Sequence, residues 1–128
     1  MKCLHFKYIG FNLFKLITLT SLTIPFLLAS INTQAATASF YGSKFHGKKT
    51  ASGEIFDMNK MTCASNTHKM GTKLKVVNRD NKKSITCKVN DTGGFSKYGR
   101  TLDLSKAAFA KIADIKHGLV KVDIKVLH

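Results

Sequence analysis

Tryptophan is absent from the 128 residues, proline occurs once, and aspartate and glutamate together number seven. A single proline with nine glycines excludes collagen-like and Pro-rich low-complexity organisation. Apolar residues make up 44%, too many for disorder caused by low hydrophobicity. Cys63, Cys87, His46, His68 and His117 show no C-x-x-C or H-x-x-x-H spacing, so no metal and no cofactor is expected. The shortage of acid leaves 21 Lys and Arg against seven carboxylates, a formal net charge of +14. Such a bias points to a polyanionic partner: nucleic acid, an anionic lipid surface or an acidic wall polymer. The length allows one modest domain, or a smaller one behind a targeting segment.

Lys2, Lys7 and Lys15 are the only charged residues before Lys44. Leu16 to Ile31 is an uncharged run of 16 residues, rich in Leu and Ile. A basic start, an apolar middle and small residues at Thr33 and Ala35 form the tripartite secretory signal. Residues 1–35 are expected to be a signal peptide cut after Ala35, with 36–128 as the mature domain. The competing reading is an uncleaved anchor. A bilayer crossing takes about 20 apolar residues, and Pro25 with several Ser and Thr makes this run short and weak. No cysteine adjoins the cut, so the product is expected to be exported, not a lipoprotein, and without a stable membrane anchor.

The mature segment keeps 18 of the basic residues and all seven acids. Cys3 leaves with the leader, and Cys63 and Cys87 remain. An even pair in an exported domain reads as a disulfide; two buried thiols in neighbouring strands is the alternative. A domain this small has a thin core, and closing a loop of about 25 residues would contribute roughly 3.5 kcal/mol.

Thr37 to Tyr41 reads as a short strand, followed by a loop over Gly42 to Lys49. Lys73 to Val77 and Ser84 to Val89 alternate polar with apolar residues around the turn Asn78 to Lys82, which is a hairpin pattern. Gly93, Gly94 and Gly99 break the chain before a strand at Arg100 to Leu104. Ser105 can cap a short helix, Lys106 to Ala113, with Ala108, Phe109, Ile112 and Ala113 on one side. Val120 to Val126 alternates again. Five or six short strands and one helix describe a mainly β chain, best closed as a small barrel.

Among the seven carboxylates, Asp57, Asp80, Asp114 and Asp123 read as solvated. Asp91 ends a strand and opens Thr92-Gly93-Gly94-Phe95, where backbone leaves room for a ligand. Glu54 closes a second small-residue loop, Thr50 to Glu54. Asp103 reads as an acceptor at the start of the helix. Asp91 and Glu54 are therefore the candidate acid catalysts.

The run Ala38-Ser39-Phe40-Tyr41-Gly42 and then Phe45 to Glu54 resembles the opening of the rare lipoprotein A (RlpA) family. So do Val89 to Phe95, Gly99 to Ser105 and the closing Val120 to Leu127. The resemblance implies a six-stranded double-psi β-barrel, the fold of expansins and barwin-like proteins. It also implies a periplasmic or wall-facing lytic transglycosylase that cuts peptidoglycan glycan strands stripped of stem peptides. By the same resemblance Asp91 is the acid-base carboxylate and Glu54 the conserved glutamate. Ser65, in Thr62-Cys63-Ala64-Ser65, stands where the family has a site His and is by that alignment the third expected catalytic residue, and Thr92-Gly93-Gly94 stands where many members have Arg-Gly-Pro. Ser65 can donate a hydrogen bond but carries no charge near neutrality; His68 lies three positions on. Tyr41, Thr50, Asn90, Phe95 and Arg100 are expected to bind the glycan, and Phe45 and Tyr98 to offer ring faces.

A lytic transglycosylase protonates the leaving glycosidic oxygen and uses the C6 hydroxyl of its substrate as nucleophile, giving a 1,6-anhydro end. The acid must be held protonated by burial or by a neighbouring carboxylate, and Glu54 is expected beside Asp91 for that purpose. Two other classes remain: a wall-binding, expansin-like module without turnover, and a secreted basic protein aimed at nucleic acid or membrane. No nucleic-acid motif appears, and the lysines, spread along the chain, read as a solvated face. A monomer is expected.

Overall fold

The computed structural model describes Asn32 to His128. The expected leader thus falls outside the described residues except for its last four positions. Six strands close into a barrel: β1 (Thr33–Tyr41), β2 (Thr62–Ala64), β3 (Lys73–Asn78), β4 (Ser84–Asp91), β5 (Leu102–Ser105) and β6 (Val120–Leu127). Their order around the wall is β1-β5-β2-β4-β3-β6, with β6 returning to β1. The pairs β1/β5 and β2/β4 are parallel and the remaining four antiparallel.

Alternation builds the wall. Leu74 and Val76 on β3, Ile85, Cys87 and Val89 on β4, Leu102 and Leu104 on β5, and Val120, Val122 and Ile124 on β6 all point inward and are buried. One helix, α1 (Lys106–Ile112), adds Ala108, Phe109 and Ile112 to the same core. Ser105 caps it by accepting the Ala108 N–H at 3.2 Å. At its other end the Ile112 carbonyl accepts from the side chains of Asn78 (2.7 Å) and Asn81 (2.9 Å), which ties the helix to the β3–β4 turn. A disulfide joins Cys63 on β2 to Cys87 on β4.

Several elements differ from the sequence reading: β4 runs on to Asp91, and β5 is Leu102–Ser105 where Arg100 to Leu104 was expected. β1 begins at Thr33 instead of Thr37, because Thr33, Gln34 and Ala35 pair with Lys125, Ile124 and Asp123 through backbone while their side chains stay exposed. Such residues leave no apolar signal. β2 was not anticipated: it has three residues, all buried, too few to show a period. The helix stops at Ile112, and Ala113 is its extended cap. Of the carboxylates read as solvated, Asp123 faces Arg79 at 3.6 Å and Asp114 caps the turn Ile115–His117 through the Lys116 N–H.

Candidate active site

One irregularity in the wall creates the site. β2 and β4 run in register at Cys63↔Val89, yet the next residue of β2, Ala64, pairs with Asp91, so Asn90 is an inserted residue. Val89 points into the core. A regular strand would send Asp91, two positions on, the same way; a bulge turns it to the outside. There it joins Ala64, which pairs on its other side with Asp103 of β5. Asp91, Ala64 and Asp103 form one row across three strands, with the α-carbons of the two aspartates about 10 Å apart. Ala64 is the residue between them in that row.

Loops raise this row into a cavity of about 600 Å³, lined by Tyr41, Phe45, Asp91, Phe95, Tyr98, Arg100 and Asp103 among others. Tyr41 stacks on Phe56 (centroids 4.3 Å apart, planes at 20°) and meets the edge of Phe45. Phe95 is buried beneath the turn Gly94–Tyr98. A Cβ on Gly93 would come within 2.8 Å of its ring, so only glycine fits there. The Arg100 guanidinium lies over the rings of Phe95 and Tyr98, 5.9 and 5.6 Å from their centroids.

The two aspartates have unlike surroundings. Asp91 is half-buried, and its Oδ1 accepts the N–H groups of Ala51 and Thr92, both at 2.9 Å. Asp103 is 8% exposed, and its Oδ1 is buried with no hydrogen-bond partner. Burial pushes the Asp103 carboxyl above the usual carboxylate range, partly offset by Arg100, whose Nη2 lies 3.6 Å from Oδ2. Tyr41 answers to both: burial raises its phenol well above the ordinary value, and the charges of Asp91 and Asp103 raise it further. Its hydroxyl is buried, lacks a partner and keeps its proton.

The other expected site residues are placed elsewhere. Glu54 is exposed, and its carboxylate takes Lys88 Nζ at 2.6 Å and Asn90 Nδ2 at 3.2 Å. The hydrogen bond from Lys88, then that from Asn90, holds it below the usual range. Glu54 and Asn90 line a second depression of about 530 Å³ with Asp57, Lys60, Thr62 and Lys88. Glu54, expected beside Asp91 to keep it protonated, does not share its cavity: the two carboxylates line separate depressions, and Glu54 is held by a lysine. Thr50 is spent within its own loop, where its hydroxyl donates to the Glu54 carbonyl at 2.9 Å. That loop is pinned to the end of β4 by Ser52 N–H to the Asn90 carbonyl (3.1 Å) and by the Ala51 contact with Asp91.

Ser65 is 1% exposed and lines neither depression. Its N–H donates to the Asp91 carbonyl at 2.9 Å, and its Oγ lies 2.8 Å from His68 Nδ1. His68 is therefore engaged behind the site instead of standing free in solvent. Asp103 is the residue that the sequence reading misassigned. Ser105 fills the capping role given to it, and Asp103 faces the cavity. Its signal was available, since Leu102 and Leu104 face the core and the residue between them must face outward.

The sequence that folds into this barrel matches the model of the lytic transglycolase family over residues 33–124, and the chain belongs to that family. It is an RlpA-like double-psi β-barrel. The endolytic peptidoglycan transglycosylase RlpA of Vibrio cholerae is 46% identical over 95 residues, which are 74% of this chain and 36% of that protein. Its Campylobacter jejuni counterpart is 42% identical over 103 residues, 80% of this chain and 37% of the other. The chain thus spans well under half the length of these relatives. A mutant expansin of Clavibacter michiganensis in complex with cellohexaose superposes with a TM-score of 0.60 at 21% identity, over 75% of this chain and 50% of that one. A Streptomyces papain inhibitor gives 0.59 at 24%, over 75% and 94%. These two share the fold.

Proposed function

We propose that the chain is an endolytic peptidoglycan transglycosylase that acts on glycan strands lacking stem peptides and leaves 1,6-anhydro ends. It is exported to the periplasm or a wall-facing compartment as a monomer, its leader removed after Ala35, and carries no lipid anchor. Intact mass of the exported form is expected to begin at Ala36; a species retaining Met1 overturns the leader assignment.

The observation that carries the reading is Asp103: a buried carboxyl with an unpartnered oxygen, facing a cavity that Asp91 also lines, with Ala64 between the two in one row. Where two carboxyl groups have unlike environments, the apolar one is the acid and the hydrogen-bonded one the charge. The division of labour thus departs from the expectation that put the proton on Asp91. Asp103 gives its proton to the bridging oxygen as the C1–O bond breaks. Asp91, its Oδ1 fixed by two N–H groups, stabilises the oxocarbenium charge across the trough. The C6 hydroxyl of the same sugar then closes on C1, and its proton returns to the Asp103 carboxylate. No water is consumed.

Tyr41, Phe45 and Tyr98 supply ring faces, and Arg100, already stacked on two rings, donates to sugar oxygens. Glu54, Thr50, Asn90 and Ser65 are positioning residues that hold the loop and the strand end against Asp91. The test is mass spectrometry of soluble products from purified glycan. Asp103→Asn is expected to lower release of anhydro-ended fragments by about 10²–10⁴-fold, and Asp91→Asn to lower it less. Loss in Asp91→Asn alone would return the proton to Asp91. Glycan binding without products from the unaltered protein would make the domain a wall-binding module.

A further inference from the structure

We propose that the outer face of β3 and β6 docks on an anionic phospholipid bilayer. Lys73 and Lys75 on β3, and Lys121 and Lys125 on β6, are all exposed. Lys75 lies directly opposite Lys125, and Lys73 directly opposite Lys88 of β4. Like charges facing each other across a ladder destabilise a sheet. A face that served solubility alone would stagger them. Asp123 is the one carboxylate at the outward positions of these two strands, and it faces Arg79. Lys88 is paired with Glu54. Among the described residues, no carboxylate pairs with Lys73, Lys75 or Lys125.

The array extends in two directions, about 6.7 Å between outward positions along a strand and about 4.8 Å between strands. A single-file polyanion would follow one row; a planar field of phosphate headgroups meets the whole patch. Leu127, exposed and opposite Lys73, adds an apolar contact at the margin, as interfacial binding requires beside its charges. On the other side Thr33 of β1 continues the Lys75–Lys125 row.

The test is sedimentation of the exported protein with large vesicles of phosphatidylcholine mixed with phosphatidylglycerol, against phosphatidylcholine alone. Binding to the mixed vesicles only, weakening as salt rises, is expected. The triple variant Lys73→Ser, Lys75→Ser, Lys125→Ser should lower the partition coefficient about 100-fold. Lys106→Ser, Lys111→Ser, Lys116→Ser, which removes equal charge from the helix side, should lower it less than about 5-fold. Equal losses in the two variants, no preference for the anionic lipid, or equally tight binding of soluble polyphosphate would each overturn the proposal. Circular dichroism and melting of each variant confirm that the barrel is intact. Product release from soluble glycan reports separately on the enzymatic reading.

Discussion

Asp103 carries an energetic cost that titration exposes. Its carboxyl is raised in the folded chain, so between the unfolded pKa and that raised value the native state holds more protons than the unfolded one. Stability contributed by the protonated form is full below the unfolded pKa and is lost as pH rises through the folded one. Asp103→Asn removes the titration. Its melting temperature should gain on the unaltered protein as pH is brought from acid to neutral, and the gap should narrow on acidification; a constant gap would deny the raised carboxyl. The activity has the same origin. If Asp103 is the acid, product release falls as pH rises through its folded pKa, and Asp103→Asn flattens that limb. Sequence reasoning singled out Asp91, Tyr41, Phe95 and Arg100, each in a recognisable motif, and the four line one cavity. It read Asp103 as an acceptor for the start of the following helix, although the strand it drew there contained that residue, because Asp-Leu-Ser ahead of an apolar run offers two capping side chains and only Ser105 takes the role.

Strands with a wet face announced themselves. Lys73 to Val77, Ser84 to Val89 and Val120 to Val126 alternate because one side is core and the other solvent. Register leaves no such mark in one sequence. That Lys75 faces Lys125, or that Asn90 is an inserted residue, depends on pairing between distant segments. The bulge matters most, since it decides the side on which Asp91 emerges. The lysine ladder has its own consequence at this scale. Lys75→Thr removes a like-charge pair and places a β-branched residue on a strand, so it should stabilise the barrel by about 0.2–1 kcal/mol. Urea denaturation at low ionic strength will show the gain, and high salt should shrink it. Unchanged stability at both salts would mean that the ammonium groups splay apart.

Taken whole, the barrel is small and stapled. Fifteen buried residues form its principal core cluster, and the Cys63–Cys87 bridge, 24 positions apart, closes a loop inside it. Replacing both cysteines by alanine is expected to cost about 3.5 kcal/mol through the unfolded chain, read as a lower urea midpoint; a loss below about 1 kcal/mol would mean that wall pairing alone holds the fold. Two cysteines in an exported context sufficed to read this bridge, whereas the barrel order needed the three-residue β2, which pattern alone could not reveal. Cys63 directly precedes Ala64, the central position of the carboxylate row, and Cys87 lies on the strand that ends in Asp91. The covalent link therefore fixes β2, whose Ala64 lies between the two aspartates in the row, against β4, which carries Asp91. Thiols stay reduced in the cytosol and oxidise beyond it, so under the proposed export the bridge closes, and the row of carboxylates reaches its final spacing, only after the chain has left the compartment where it was made.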